Sequence, residues 1–127
     1  MLQALLVVRE TGDRGRGVFA TRAIAAGTAI EECPVIVVPA AEVETLNRTV
    51  LQNYHFRWGG LGEESAIALG YGSLYNHSHQ PNAMYVKKYE ARLIGFVTLE
   101  AIAEGEEITV SYNGGVGDRT PVWFEQR

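Results

Sequence analysis

Apolar residues in this chain occur mostly in short runs or in alternation with polar residues, and helical spacing occurs over one stretch. Residues 40–52 carry apolar side chains at helical spacing after Pro39, which suits the first turn of a helix. The remaining pattern predicts a mostly β domain of the α+β class with one short helix. The predicted strands cover residues 4–8, 29–38 (as one strand or two), 66–69, 84–89, 93–99 and 108–112.

One short pattern occurs twice. Residues 23–30 read Ala-Ile-Ala-Ala-Gly-Thr-Ala-Ile, and residues 101–108 read Ala-Ile-Ala-Glu-Gly-Glu-Glu-Ile. In both segments an Ala-Ile-Ala turn reaches a glycine, which supplies the positive φ of a type II or similar turn before a strand begins. The repeat is too short for a solenoid, so it predicts two similarly built turns in one β domain.

The length of 127 residues suits a single domain, and we expect one domain over residues 1–127. The one cysteine, Cys33, excludes an internal disulfide and any multi-cysteine zinc site. No apolar run approaches the ~18–20 residues of a membrane helix. The apolar segment at residues 2–8 lacks a basic region before it, which argues against a signal peptide. We therefore expect a cytoplasmic protein without membrane contact.

The net charge of −4 argues against general nucleic-acid binding, which requires a basic surface. An acidic protein suits a cationic partner such as a lysine-rich peptide. The same charge equally fits a small domain that needs only to stay soluble.

Residues 70–83 form the most polar loop of the chain and read Gly-Tyr-Gly-Ser-Leu-Tyr-Asn-His-Ser-His-Gln-Pro-Asn-Ala. Its two glycines permit positive φ or close backbone approach. Pro81 fixes its own φ and favours an extended conformation at Gln80. A stiff loop with this many hydrogen-bonding side chains is a suitable cradle for a polar ligand.

Residues 76–82 resemble the Asn-His-Ser-x-x-Pro-Asn signature of SET-domain protein lysine methyltransferases. Residues 15–20, Gly-Arg-Gly-Val-Phe-Ala, resemble the family's Gly-x-Gly-Val-Phe motif, and residues 105–112 resemble its Gly-Glu-Glu-Ile-Thr-x-x-Tyr motif. The spacing is most similar to small stand-alone SET proteins of bacterial or viral type. The resemblance implies a β-clip (SET) fold of several small sheets with a threaded C-terminal segment. It covers about residues 5–113 and leaves 114–127 as a C-terminal flank.

The resemblance also implies an S-adenosylmethionine-dependent protein lysine N-methyltransferase that releases S-adenosylhomocysteine and uses no metal. Its substrate would be a lysine of a protein or peptide, and a histone tail is one candidate. Tyr112 closes the last motif and is the implied catalytic residue, whose hydroxyl orients the lysine amine. Without the motifs, Tyr112 would be interpreted as a core tyrosine at a strand end.

Further site residues follow from the same resemblance. Tyr54 and Tyr85 are candidate walls of the lysine channel, because aromatic faces hold methylenes and cations. Trp123 or Phe124 is a candidate to stack on the adenine. The implied cofactor contacts are Gly15, Arg16, Gly17, Asn76, His77, Tyr112 and Trp123.

Several of these residues have a plainer interpretation. Tyr54 on a helix face is often a core residue, and the apolar tail around Trp123 suits core packing or a dimer interface. His77 is alternatively a structural loop histidine, or a metal ligand with His79 and His55. We expect a homodimer, because so small a domain gains burial by pairing, and a host-nuclear location if the source is viral.

The chain departs from chromatin-directed relatives at His79, where many of them have cysteine, and it lacks their zinc-binding flanks. Substrate choice is read by such flanks, so the sequence does not name the substrate. Two other functions stay open from the residues. One is a non-catalytic SET-like module that binds a peptide or the cofactor. The other is an antifreeze-like β-clip domain, which shares the Gly-Val-Phe-Ala segment but not the two later motifs.

Overall fold

The computed structural model describes residues 5–111, and the elements in this range are strands, one α-helix and two 3₁₀ turns. The helix α1 covers Ala40–Leu46, and the 3₁₀ turns cover Val50–Asn53 and Gly72–Leu74. The strands are β1 (Leu6–Glu10), β2 (Arg16–Ala20), β3 (Ala29–Val38), β4 (His55–Trp58), β5 (Glu64–Ala68), β6 (Asn76–His77), β7 (Ala83–Lys88), β8 (Leu93–Thr98) and β9 (Glu107–Val110). The predicted mostly β domain with one short helix is confirmed.

The strands form two sheets, with the orders β1-β2-β9-β6 and β4-β5-β3-β8-β7. Neighbouring strands are antiparallel in both sheets except for β6 and β9, which are parallel. Strand β3 is one continuous strand, and it pairs with β8 through its first half and with β5 through its second. Its register shifts between Ala29 and Glu31, where a β-bulge turns the strand.

The predicted helix over residues 40–52 is too long, because α1 ends at Leu46. The next residues favour caps and turns: the Thr49 hydroxyl donates to the Leu46 carbonyl at 2.7 Å and accepts from the Leu51 amide at 3.1 Å. The apolar residues beyond the break face outward, with Val50 80% and Tyr54 39% exposed. Their helical spacing therefore does not indicate a helix face that packs against the core.

Strand β4 was not predicted, although its burial alternates as a half-buried strand requires. Phe56 and Trp58 are buried, and Arg57 between them is exposed. The strand pairs with β5 across the glycine-rich loop at residues 59–62. Four residues between a turn and a glycine-rich loop are too few for alternation to be recognised in the sequence.

The two repeated turns pair directly with each other. Ile24 and Ile102 exchange both backbone hydrogen bonds, each at 2.8 Å. Gly27 and Gly105 follow with φ of 77° and 85°, so the prediction of two turns built on positive-φ glycines is confirmed. The two halves of the chain therefore pair through equivalent positions of their turns.

This pairing exchanges strands between the halves. The Gly27 amide donates to the Thr98 carbonyl at 2.9 Å, and the Gly105 amide donates to the Ala20 carbonyl at 2.8 Å. The strand that follows each turn therefore pairs with a strand of the other half: β3 pairs with β8, and β9 pairs with β2. Ile24 and Ile102 are 4% and 1% exposed, so the crossing lies in the core.

The described residues, 5–111, contain no helix with the length and hydrophobicity of a membrane span.

We expect Gly105→Ala and Gly27→Ala each to lower the free energy of unfolding by about 1 kcal/mol, because an alanine is strained at these positive φ values. A Cβ at either position meets no atom within 4 Å, so the effect isolates backbone strain. Urea unfolding measures it. Gly60→Ala is the matched control, with equally open space and no positive φ. Equal stability of Gly105→Ala and Gly60→Ala would contradict the assignment.

Candidate functional site

Three segments that are distant in the sequence lie side by side in the four-stranded sheet. Strand β9 runs between β2, which follows Gly15, and β6, which consists of Asn76 and His77. Asn76 is opposite Thr109 in the parallel pair, and Val18 is opposite Ile108 in the antiparallel pair. The Gly-x-Gly, Asn-His-Ser and Gly-Glu-Glu segments therefore form one surface.

The side-chain amide of Asn76 lies at the centre of this surface. Its Nδ2 donates to Glu107 Oε2 at 2.7 Å and to the Arg16 carbonyl at 3.1 Å. Both amide hydrogens are thus directed at acceptors on β9 and β2, which fixes the orientation of the amide.

Arg14 pairs with the other oxygen of Glu107. The loop before β2 holds Arg14 in place, because the Thr11 hydroxyl accepts from the Arg14 amide at 2.9 Å and donates to the Gly15 carbonyl at 2.8 Å. The Arg14 side chain is 46% exposed and that of Glu107 is 12% exposed. A mostly buried carboxylate is therefore ion-paired with a half-exposed cation.

Gly17 allows these side chains to approach the backbone of β2. A Cβ at this position would overlap Glu107 Oε2 and would lie 2.8 Å from Asn76 Nδ2. The second glycine of the Gly-x-Gly segment is therefore required by the packing of Asn76 and Glu107. The first, Gly15, has a positive φ of 72°.

Asn82 fixes the loop after β6 to β9. It is 5% exposed, its Oδ1 accepts from the Thr109 amide at 2.9 Å, and its Nδ2 donates to the Glu107 carbonyl at 2.9 Å. The Ser78 amide also donates to the Val110 carbonyl at 2.9 Å. The polar loop is therefore rigidly attached to the strand that carries Glu107.

A buried carboxylate holds the other side of the loop. Glu31, 7% exposed, accepts from the Tyr75 hydroxyl at 2.7 Å and from the Tyr71 amide at 2.9 Å. The Tyr75 ring stacks on Phe96 with centroids 4.4 Å apart. A Cβ at Gly72 would come within 2.9 Å of the Cys33 sulfur, so this glycine permits close packing of loop and core.

The environment of Glu31 also shifts two neighbouring groups. Burial raises the pKa of Tyr75 well above its ordinary value, and the charge of Glu31 adds to the shift. The same two causes, burial first, raise the pKa of the Cys33 thiol. Both groups therefore stay protonated in the folded protein, and neither is an activated nucleophile.

We expect the free energy of unfolding to fall as the pH rises above about 9, because the unfolded chain then releases the Cys33 and Tyr75 protons, near their ordinary values of 9.0 and 10.0, while the folded protein keeps them. Tyr75→Phe should make this slope shallower. It should also lower stability at pH 7 by about 1–3 kcal/mol, because a buried Glu31 oxygen loses its donor.

Urea unfolding between pH 7 and pH 11 measures both effects. Ile94→Val is a suitable control, since it trims the core without removing a titrating group and should keep the wild-type slope. An unchanged slope in Tyr75→Phe would show that Tyr75 does not contribute to alkaline destabilisation.

His77 and His79 lie edge to face, with ring centroids 4.7 Å apart. Burial, and secondarily the charge of His79, lower the pKa of His77 below its ordinary value. His55 does not join them, because it lies in β4 and its Nε2 bonds to Asn47 Oδ1 at 2.8 Å. Among residues 5–111 no group of three or more His, Cys, Asp or Glu side chains could hold a metal ion.

We expect His79→Gln to raise the pKa of His77, but to leave it below 6.5, since burial is the larger cause of the shift. Titration of the imidazole Cε1–H resonance by NMR measures this change. His55→Gln, which changes a histidine elsewhere, should leave the His77 pKa as it is. An identical His77 titration in wild type and His79→Gln would exclude the charge coupling between the two rings.

A cleft of about 960 Å³ opens beside Asn76. Tyr54 and Asn76 both line it, so the structure brings these two predicted site residues to one cavity. Its walls also include Arg14, Arg57 and Glu63.

Tyr85 is 1% exposed and packs edge to face on Phe56 with centroids 5.1 Å apart. It is absent from the described lining of the cleft beside Asn76. Its assignment to a lysine channel stays a prediction.

Three aromatic residues of the predicted site, Tyr112, Trp123 and Phe124, lie outside the described residues. Their roles, and the threading of the C-terminal segment, therefore stay predictions. Two charged residues of the site were missed by sequence reasoning. Glu107 belongs to the Gly-Glu-Glu segment and Arg14 directly precedes Gly15, so both were visible as neighbours of motif glycines.

Comparison with known proteins gives a consistent result. A family model of the SET domain matches residues 15–113. The chain is 36% identical, over 126 residues, to a Schizosaccharomyces pombe protein named histone-lysine N-methyltransferase, H3 lysine-37 specific, and the match covers 98% of this chain and 80% of that protein. The crystal structure of a candidate histone methyltransferase from Plasmodium falciparum superposes with a TM-score of 0.63 at 26% identity, covering 89% of this chain and 96% of that one.

Proposed function

We propose, from the premise that this chain belongs to the SET-domain family of protein-lysine N-methyltransferases, that it transfers a methyl group from S-adenosylmethionine to a lysine of a histone tail. The SET resemblance and the mostly β SET fold are confirmed by the family match and the solved structure. The match includes all three motifs, which argues against an antifreeze-like β-clip domain. The observation that carries the proposal is the meeting of those motifs in the sheet β1-β2-β9-β6.

The residues around Asn76 fit the amino-acid end of such a cofactor. The open backbone at Gly15, the half-exposed Arg14 and the Asn76 amide combine polar groups of both signs on one surface. S-adenosylmethionine would supply a methyl group on a sulfonium; a neutral lysine amine would attack the methyl carbon in line, and S-adenosylhomocysteine would leave as the neutral thioether. The chain's task is then to bind and align, and that task needs no metal or covalent nucleophile.

The remaining roles are assigned by the family motifs. Gly15, Arg16, Gly17, Asn76 and His77 would contact the cofactor, and Trp123 would close its adenine pocket. Tyr112 would orient the lysine amine. Tyr54 is the better supported of the two channel tyrosines, because it lines the same cleft as Asn76.

A histone H3 tail is the substrate class that we propose. The Schizosaccharomyces pombe relative is named for lysine 37 of H3, and it is 36% identical to this chain over 98% of this chain's length. The net charge of −4 favours association with a cationic tail. The homodimer and the cytoplasmic location inferred from the sequence stay predictions.

We expect the protein to bind S-adenosylmethionine in isothermal titration and to methylate an H3 peptide that includes lysine 37. Tyr112→Phe should lower kcat about 100-fold while the cofactor Kd stays within about twofold, because alignment is lost and binding is kept. Asn76→Ala should weaken cofactor binding about tenfold, since it removes a hydrogen bond to a charged group.

Replacing the target lysine of the peptide by arginine is the matched control, and it should abolish incorporation. Cofactor binding without turnover on any histone or basic peptide would support the non-catalytic module instead. A folded wild-type protein that binds no cofactor, even with peptide present, would overturn the proposal.

A further inference from the structure

We infer that Glu107 is a positioning residue that orients the Asn76 amide, so that the amide oxygen accepts a hydrogen bond from the α-ammonium group of the cofactor. The inference rests on the proposed use of S-adenosylmethionine. It gives Glu107 a role in the site and a reason for its charge. The Gly-Glu-Glu motif contains this residue but assigns it no role.

The contacts of the Asn76 amide nitrogen fix the orientation of the amide. The two atoms that face Asn76 Nδ2, Glu107 Oε2 at 2.7 Å and the Arg16 carbonyl at 3.1 Å, are both acceptors. A flipped amide would direct its oxygen at two other oxygens, which is repulsive. Glu107 therefore selects a single orientation of an otherwise symmetric side chain.

The orientation of the amide also sets the direction of its oxygen. The oxygen and nitrogen of an amide lie on opposite sides of its carbon, so Asn76 Oδ1 points away from β2 and β9. Asn76 is partly exposed and lines the cleft. No hydrogen bond to Oδ1 forms among residues 5–111, so this acceptor is available to a ligand in the cleft.

The Glu107 carboxylate favours a positively charged ligand at this oxygen. A carbonyl oxygen backed by a carboxylate two bonds and one hydrogen bond away is polarised toward accepting from a cation. Arg14, which is half exposed and lines the same cleft, pairs with the second carboxylate oxygen and holds Glu107 in place. An ammonium group is the part of S-adenosylmethionine that this oxygen recognises.

The packing around Gly17 shows that the pair is built into the fold. A Cβ on Gly17 would overlap Glu107 Oε2 and crowd Asn76 Nδ2. The Glu107 backbone is itself fixed by Asn82 at 2.9 Å. Both side chains therefore pack directly against the β2 backbone, where the missing Cβ of Gly17 leaves room for them.

The test compares two ligands on one protein by isothermal titration: S-adenosylhomocysteine and its analogue that lacks the α-amino group. We expect wild type to bind S-adenosylhomocysteine about 10- to 100-fold more tightly, as a hydrogen bond to a charged group provides. In Glu107→Ala this ratio should fall to within about threefold of one, while binding of the desamino analogue changes less than about twofold.

Two further variants separate orientation from charge. Glu107→Gln keeps an oxygen for Asn76 Nδ2 and should restore most of the preference for the amino group. Glu104→Ala removes one exposed carboxylate from the turn before β9 and should keep the full wild-type ratio. In an Asn76→Ala background, Glu107→Ala should cause no additional loss of the preference.

Equal weakening of both ligands in Glu107→Ala would show a structural role only and would overturn the inference. The comparison in wild type is decisive even if that variant fails to fold, because equal binding of the two ligands excludes recognition of the ammonium group. That result would leave the proposed function intact. Absence of binding to either ligand by the folded wild-type protein, even with H3 peptide present, would overturn the proposed function itself.

Discussion

The reciprocal backbone pair between Ile24 and Ile102 is the contact on which the rest of the fold depends. Each turn directs its following strand onto the other half of the chain, so neither half completes its own sheet. The positive-φ glycines after the two isoleucines make this possible, because only they complete the turns without strain. Backbone geometry at two small turns thereby decides which strands become neighbours.

The site is a direct result of that exchange. Because β9 pairs with β2, its other edge is available to β6, and the short parallel pair places Asn76 beside Glu107. Buried polar groups then hold the intervening loop from both sides, Asn82 toward β9 and Glu31 toward the core. Burial of such groups costs desolvation, and here their hydrogen bonds offset it.

Local chemistry could be predicted from the sequence, and contacts across the sheet could not. The glycine turns and the strands of β3, β7 and β8 follow from turn residues and β-branched runs. The end of α1 depended on side-chain bonds of Thr49, which competed with helical spacing. The Arg14–Glu107 pair joins residues 93 positions apart, and no periodicity reports it. It becomes visible only when the strand order is known.

The strand exchange also constrains the order of events during synthesis. Strand β2 is made early, and its second neighbour, β9, leaves the ribosome only after the nine elements between them in the described chain have been made. Until then one edge of β2 has no native partner, and such edges are templates for association with other chains. The partial chain is therefore at its greatest risk of aggregation just before residues 107–110 appear, and chaperone contact in that interval would be most useful.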